Sequence, residues 1–224
     1  MTVTRTSEND LSYYDNTRHV VLPTLPIAAH RILDIGGGTG ATALAAKERT
    51  GATLAGIVDI SDTAREARRD GLDFAVKGNV EDVNLLVRLT RDYGPFDLVL
   101  CLDVLEHLVD PWGLVARVHS VLTPGGCMVA SIPNVRHYSA SLRQLMGKWK
   151  YRDAGVLDRT HLRFFGREGA KELVTSSGMV LESMTSTRSY NHRTLSNILD
   201  VGTFGLFRDF LAWQYVFRVR KSDG

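Results

Sequence analysis

Short apolar runs alternate along this chain with longer stretches in which apolar positions recur every three or four residues. RILDIG (31–36), TLAGIVDI (53–60), DFAVKGNV (73–80), FDLVLCLD (96–103) and CMVASIPN (127–134) have the length and apolar content of strands. Between them, ATALAAKERT (41–50) predicts a helix closed by Gly51. Ser61 and Asp62 offer N-caps to a charged helix ending at Gly71, EDVNLLVRLTRDYG (81–94) predicts a third helix, and residues 111–122 a fourth. FDLVLCLD is apolar almost throughout, as a strand covered on both faces of a parallel sheet must be. This strand–helix alternation predicts a doubly wound α/β sheet with right-handed crossovers.

The tail breaks the rhythm. Residues 136–160 are basic and poor in strand pattern, which predicts an inserted cap. REGAKELVTSSG (167–178) reads as a helix, MVLESMTS (179–186) and WQYVFRVRK (213–221) as strands. Two late strands around an insert predict an antiparallel C-terminal edge, completing a mostly parallel sheet of seven. The apolar stretch 195–211 is read as core packing, with a lid or a homodimer face as its alternatives. Ahead of Pro26 lies a short predicted helix carrying Tyr14 and Arg18. The chain is expected to form one domain over 1–224: an N-terminal helix or lid (1–28), a core (30–135), a cap (136–163) and a C-terminal part of the core (164–224).

Composition narrows this picture. The 224 residues suffice for one sizeable α/β domain, and 44% hydrophobic content is ordinary for a globular protein. No apolar run reaches the length of about 20 residues that spans a bilayer, and the first twenty residues lack a secretory pattern. Cys101 and Cys127 sit in apolar runs and read as core residues, so a cytoplasmic setting is expected. Net charge is +2, unevenly spread. Residues 136–167 hold eight lysines and arginines against two aspartates, leaving −4 for the rest. A local basic patch of this kind suits an anionic small acceptor better than nucleic acid.

The most informative stretch is ILDIGGGTG (32–40), a D-x-G-x-G-x-G turn running from Asp34 through Gly36, Gly38 and Gly40. It lacks the lysine and the spacing of a triphosphate loop, and it is not G-x-G-x-x-G. Asp59 ends the second strand about twenty residues later, where an acid accepts from ribose hydroxyls. Asn79 ends the third, where its amide could pair with adenine. These three points imply an adenosine with a compact tail.

Taken in order, ILDIGGGTGAT, GIVDIS, GNVED, FDLVLCLDVLEHL and LTPGGCMVASIPN resemble the class I S-adenosylmethionine-dependent methyltransferases over about residues 30–135. The resemblance implies a Rossmann-like fold and S-adenosyl-L-methionine as cofactor. It implies that Asp34, Gly36, Gly38 and Gly40 flank the methionine part and that Asp59, with Ile60 beside it, holds the ribose. Asn79 and Val80 would face adenine, Leu102 would border the transferred methyl, and Tyr14 and Arg18 would contact the cofactor from the N-terminal helix.

Methyl transfer to a hydroxyl needs a base, and histidine is the usual one. VLDRTHLRFF (156–165) supplies His161 as the favoured base, with Asp158 to orient it; His107 is second, and His137 of NVRHY a further candidate. Asp103, Glu106 and His107 share one face if D-V-L-E-H is helical. That block is similar to the E-x-x-E-H of ubiquinone-biosynthesis and small-RNA 3′-terminal O-methyltransferases, whose acids and histidine bind a divalent metal; in the RNA enzymes a more distal histidine completes the site, and the resemblance puts His161 in a comparable place. Here Glu106 and His107 are read as fixing a helix start, and no metal is assigned. The cap resembles bacterial methyltransferases of glycans and secondary metabolites. Its Arg136, Arg143, Lys148, Lys150 and Arg152 would hold an anionic acceptor, with Trp149 and Tyr151 stacking on a sugar. The expected function is thus O-methylation of a small polar acceptor. Its alternatives are metal-assisted 2′-O-methylation of RNA ends and a silent cofactor-binding interaction protein.

Overall fold

A computed structural model describes residues 18–62, 71–188 and 208–222. Seven strands form one sheet: β1 (Arg31–Ile35), β2 (Leu54–Asp59), β3 (Phe74–Lys77), β4 (Phe96–Leu102), β5 (Leu122–Pro133), β6 (Val180–Arg188) and β7 (Ala212–Arg220). Their order is β3-β2-β1-β4-β5-β7-β6. The first five pair in parallel; β7 runs antiparallel to both β5 and β6. This is the doubly wound, mostly parallel sheet with an antiparallel C-terminal edge. Strands β1 to β3 build outward in one direction, and β4 then returns to the other side of β1. The chain therefore opens a crevice where β1 and β4 end, the place at which open α/β sheets take ligands.

Helices cover both faces. Among the described residues the α-helices are α1 (Ala41–Thr50), α2 (Leu85–Tyr93), α3 (Pro111–Val121), α4 (Tyr138–Leu145, in the cap), α5 (Arg167–Thr175) and the short α6 (Arg208–Leu211). Strand β4 shows why. Val99 and Cys101 point into one core with Leu86 and Leu89 of α2 and Leu114 and Val118 of α3. Leu98, Leu100 and Leu102 point into the other, with Ala43 and Ala46 of α1. Each such aliphatic side chain, wholly withdrawn from water, contributes about 1.5–3 kcal/mol. Small residues on the inner face of α1 let that helix lie close to the sheet.

The expected elements shift at their ends for local reasons. β3 stops at Lys77 because Asn79 Oδ1 accepts from the Glu81 amide and turns the chain. Asp82 does the same to the Asn84 amide, so α2 starts only at Leu85. β5 begins at Leu122, five residues ahead of the expected start at Cys127, because TPGG (123–126) does not break it. The register slips between Phe96 and Leu98 to accommodate the extra residues, and Thr123 Oγ1 ties the detour to Asp97.

The predicted helices around Tyr14 and after Ser61, and most of 195–211, lie outside the described residues. The cap is α4 followed by irregular chain to about residue 166, tied down by Ala140, Val156 and Leu157. Among the described residues, no helix is long and apolar enough to cross a membrane.

Candidate functional site

The turn after β1 is shaped by its glycines. Gly36, Gly38 and Gly40 all take positive φ, +71°, +54° and +86°, a region that side chains disfavour. Gly36 also lies flush against β4's exit: a Cβ there would come 2.6 Å from Val104 Cγ2. Asp59 fixes the turn from the neighbouring strand. Its Oδ2 accepts from the Gly38 amide at 2.9 Å and its Oδ1 from the Ser61 amide at 2.8 Å. A carboxylate has about four acceptor positions, so two are left for a diol. Asp34 is buried beneath the turn. Burial pushes its carboxyl up to about 7, the Asp59 charge adds to the rise, and Arg18 opposes it.

The other positions expected to meet the cofactor fall at the crevice edge or in the core. Ile60 stands 69% exposed just beyond β2. Asn79 is exposed, with its side-chain oxygen already serving the Glu81 amide, whereas Val80 and Leu102 are buried. Arg18 ion-pairs with Asp103, and its backbone amide donates to Thr42 Oγ1 at 3.3 Å. Tyr14 lies outside the described residues.

Asp103 follows β4 in a left-handed conformation, φ +53°. The D-x-x-E-H block is therefore not a helical face. Only Leu105–His107 form a single 3-10 turn, and Asp103 is drawn away by Arg18 and by the Ser131 hydroxyl, which donates to its Oδ1 at 2.6 Å. His161 takes the place expected of Asp103. The Leu162 and Arg163 amides donate to the Glu106 carbonyl at 2.8 and 2.9 Å, pinning the loop after the cap onto the turn. One ligand atom from each of Glu106, His107 and His161 consequently lies within 4.8 Å of the others.

The two imidazoles meet edge to face with centroids 4.7 Å apart. His161 Nδ1 is 3.1 Å from the Val156 carbonyl and His107 Nδ1 3.2 Å from the Thr160 carbonyl. A carbonyl can only accept, so each Nδ1 carries a proton, and in a neutral ring the lone pair is left on Nε2. Burial holds the His161 pKa below the usual histidine value, with His107 adding to the effect, so at pH 7 the ring is neutral. Glu106 is 1% exposed, and neither carboxylate oxygen has a hydrogen-bond partner. Burial, reinforced by Asp103, raises its pKa far above the carboxylate range. An ionised carboxyl without a partner is costly to bury. The pocket therefore calls for either a proton on Glu106 or a cation beside it.

Asp158 does not orient His161. Partial burial pushes its carboxyl up, but the Thr160 hydroxyl and amide outweigh that and hold it below the usual range. Its Oδ1 caps its own turn through those two donors, at 2.6 and 2.8 Å. The Val156 carbonyl supplies the orienting bond instead. His137 is 2% exposed, starts α4 as its N-cap and packs between Tyr138 and Trp213. The cap residues Lys148, Trp149, Lys150, Tyr151 and Arg152 are all exposed. Burial keeps the Cys101 thiol far above its ordinary pKa, as a core residue.

Residues 9–184 match the family model of a methyltransferase domain. Ubiquinone biosynthesis O-methyltransferases are similar: that of Ralstonia nicotianae is 28% identical over 79% of this chain and 77% of its own. That of Thiobacillus denitrificans is 30% identical over 71% and 72%. Among solved structures, S-adenosylmethionine-dependent methyltransferases from Mesorhizobium loti and Archaeoglobus fulgidus superpose with TM-scores of 0.59 and 0.62. Their identities are 18% and 17%; they cover 90% and 96% of this chain, and it covers 95% and 100% of theirs. A glycine turn bound to an acid on the next strand, at the switch point of this sheet, agrees with all of these, and the chain belongs to the class I S-adenosylmethionine-dependent methyltransferases.

Proposed function

We propose that the chain transfers the methyl group of S-adenosylmethionine to a hydroxyl oxygen of a small polar acceptor, with His161 Nε2 taking the proton. The observation that carries this reading is the tautomer that the Val156 carbonyl imposes on His161, beside His107 and at the carboxyl end of β4. The names of the relatives, ubiquinone biosynthesis O-methyltransferases, support oxygen as the methylated atom. A phenol, with a pKa of about 10, is within reach of a lone histidine base. A sugar hydroxyl, the acceptor the cap's resemblance suggests, is a weaker acid and asks for more help.

The orphaned Glu106 oxygens favour a second reading of the same pocket. Glu106, His107 and His161 are a donor set for magnesium, manganese or zinc, each histidine braced through its other nitrogen by a carbonyl. A divalent cation there would polarise the acceptor oxygen and make even an alcohol acidic enough to react. Asp59 would grip the ribose, Ile60 cover a purine face and Arg18 approach the methionine end.

Intact-mass screening of phenolic and sugar acceptors for the gain of one methyl group, with and without prior chelation and metal analysis, tests both readings. Methylation by chelated, metal-free protein assigns the chemistry to His161 alone. Methylation that returns only with one equivalent of bound metal assigns it to the cation. Tight cofactor binding with no methylated acceptor in either state overturns the proposal in favour of a silent binding module.

A further inference from the structure

From residue 144 to residue 154 every side chain of the cap is exposed, and the exposed set is not the usual polar one. Leu142, Leu145 and Met146 fall at i, i+3 and i+4, on one face of α4, opposite the face where Ala140 packs on Val156 and Leu157. Leu145 is 82% and Met146 59% exposed. Trp149 and Tyr151 follow, also exposed, interleaved with Lys148, Lys150 and Arg152. None of these three cations forms an ion pair among the described residues. An aliphatic tip flanked by aromatic rings and uncompensated cations, within a segment of net charge +6 on a chain otherwise −4, is the make-up of a surface that lies in a bilayer interface.

We propose that the tip of the cap docks this enzyme onto an anionic lipid surface, with Leu142, Leu145 and Met146 entering the headgroup boundary and Lys148, Lys150 and Arg152 meeting lipid phosphates. Other occupants fit less well. A polynucleotide would leave the aliphatic side chains in water, and a second copy would bring two +6 segments face to face. The docking surface is also joined to the acceptor site. Trp149 and Tyr151 both pack on Phe164, at centroid distances of 5.4 and 6.4 Å, and Phe164 lies 6.3 Å from His161. One ring separates the lipid-facing tip from the histidine pair, so docking places the site at the interface.

Co-sedimentation with vesicles of mixed phosphatidylglycerol and phosphatidylcholine, against phosphatidylcholine alone, tests this without requiring turnover. The full chain should partition onto the anionic vesicles, less so as salt rises, with a blue-shifted tryptophan emission that Trp149→Phe removes. At about 1 kcal/mol per cation near the surface, Lys148→Gln with Lys150→Gln should lower partitioning roughly 30-fold. Leu145→Glu with Met146→Glu should abolish it. Both double variants should keep wild-type affinity for S-adenosylmethionine by calorimetry, which shows that they are folded. Equal partitioning of wild type and Leu145→Glu/Met146→Glu would overturn the proposal. So would retention on a single-stranded RNA, or self-association abolished by the same variant, with no binding to anionic vesicles.

Discussion

Asp34 and His161 hold opposite positions on the charge scale. Asp34 is an acid kept near neutrality by burial, with a carboxyl raised to about 7. The groups facing it are Arg18, Asp59 and the neutral Cys101 thiol. Because its folded pKa is raised from 3.8, ionising it costs the free protein stability between pH 3.8 and about 7, on the order of 4 kcal/mol once fully charged. Asp34→Asn should therefore be more stable than wild type above about pH 7 and lose that advantage towards pH 4, as urea titrations at the two ends would show. S-adenosylmethionine brings an ammonium and a sulfonium, which favour the ionised form. Its affinity should then rise with pH by up to about tenfold per unit until about pH 7 and become flat in Asp34→Asn, as calorimetry can follow. His161→Ala should lower turnover by about 10²–10⁴-fold while leaving cofactor affinity unchanged. At this scale the sequence was legible wherever a residue's role is local. Glycines at left-handed positions and an acid at a strand end announce themselves. Val156 as His161's brace did not, because a backbone carbonyl leaves no signature in side-chain identity. Glu106 joining His161 in preference to Asp103 depends on one positive φ and on Arg18, 85 residues away.

Elements were easier to read, since apolar periodicity is a consequence of which face is buried. Helix α1 spans the ten residues that pattern and Gly51 predict, and β4 differs by one. Boundaries moved where side-chain caps intervened, at Asn79 and Asp82, because an Asx turn competes with a strand end or a helix start on equal terms. The glycine turn makes the sharpest prediction here. Gly36 and Gly51 both have φ near +70°, but a Cβ at Gly51 meets nothing within 4 Å, while one at Gly36 runs into Val104. Gly51→Ala should lose only the left-handed backbone term of about 1–2 kcal/mol, roughly 2–8 °C in Tm. Gly36→Ala should lose more than Gly51→Ala in the same thermal scan, and cofactor affinity with it.

For the molecule as a whole, the sheet order puts the glycine turn, the Asp59 carboxylate and the exit of β4 around one crevice. The cap's return through 160–163 then carries His161 to the Glu106 turn. The proposed transfer, to an acceptor seated at Glu106, His107 and His161, rests on that convergence. The most direct measurement is a crystal structure with S-adenosylhomocysteine bound. The adenosine diol should sit on Asp59, with the sulfur at the end of β4 facing the histidine pair. A sulfur turned away from His107 and His161, or a product lodged outside the crevice between β1 and β4, would contradict the account.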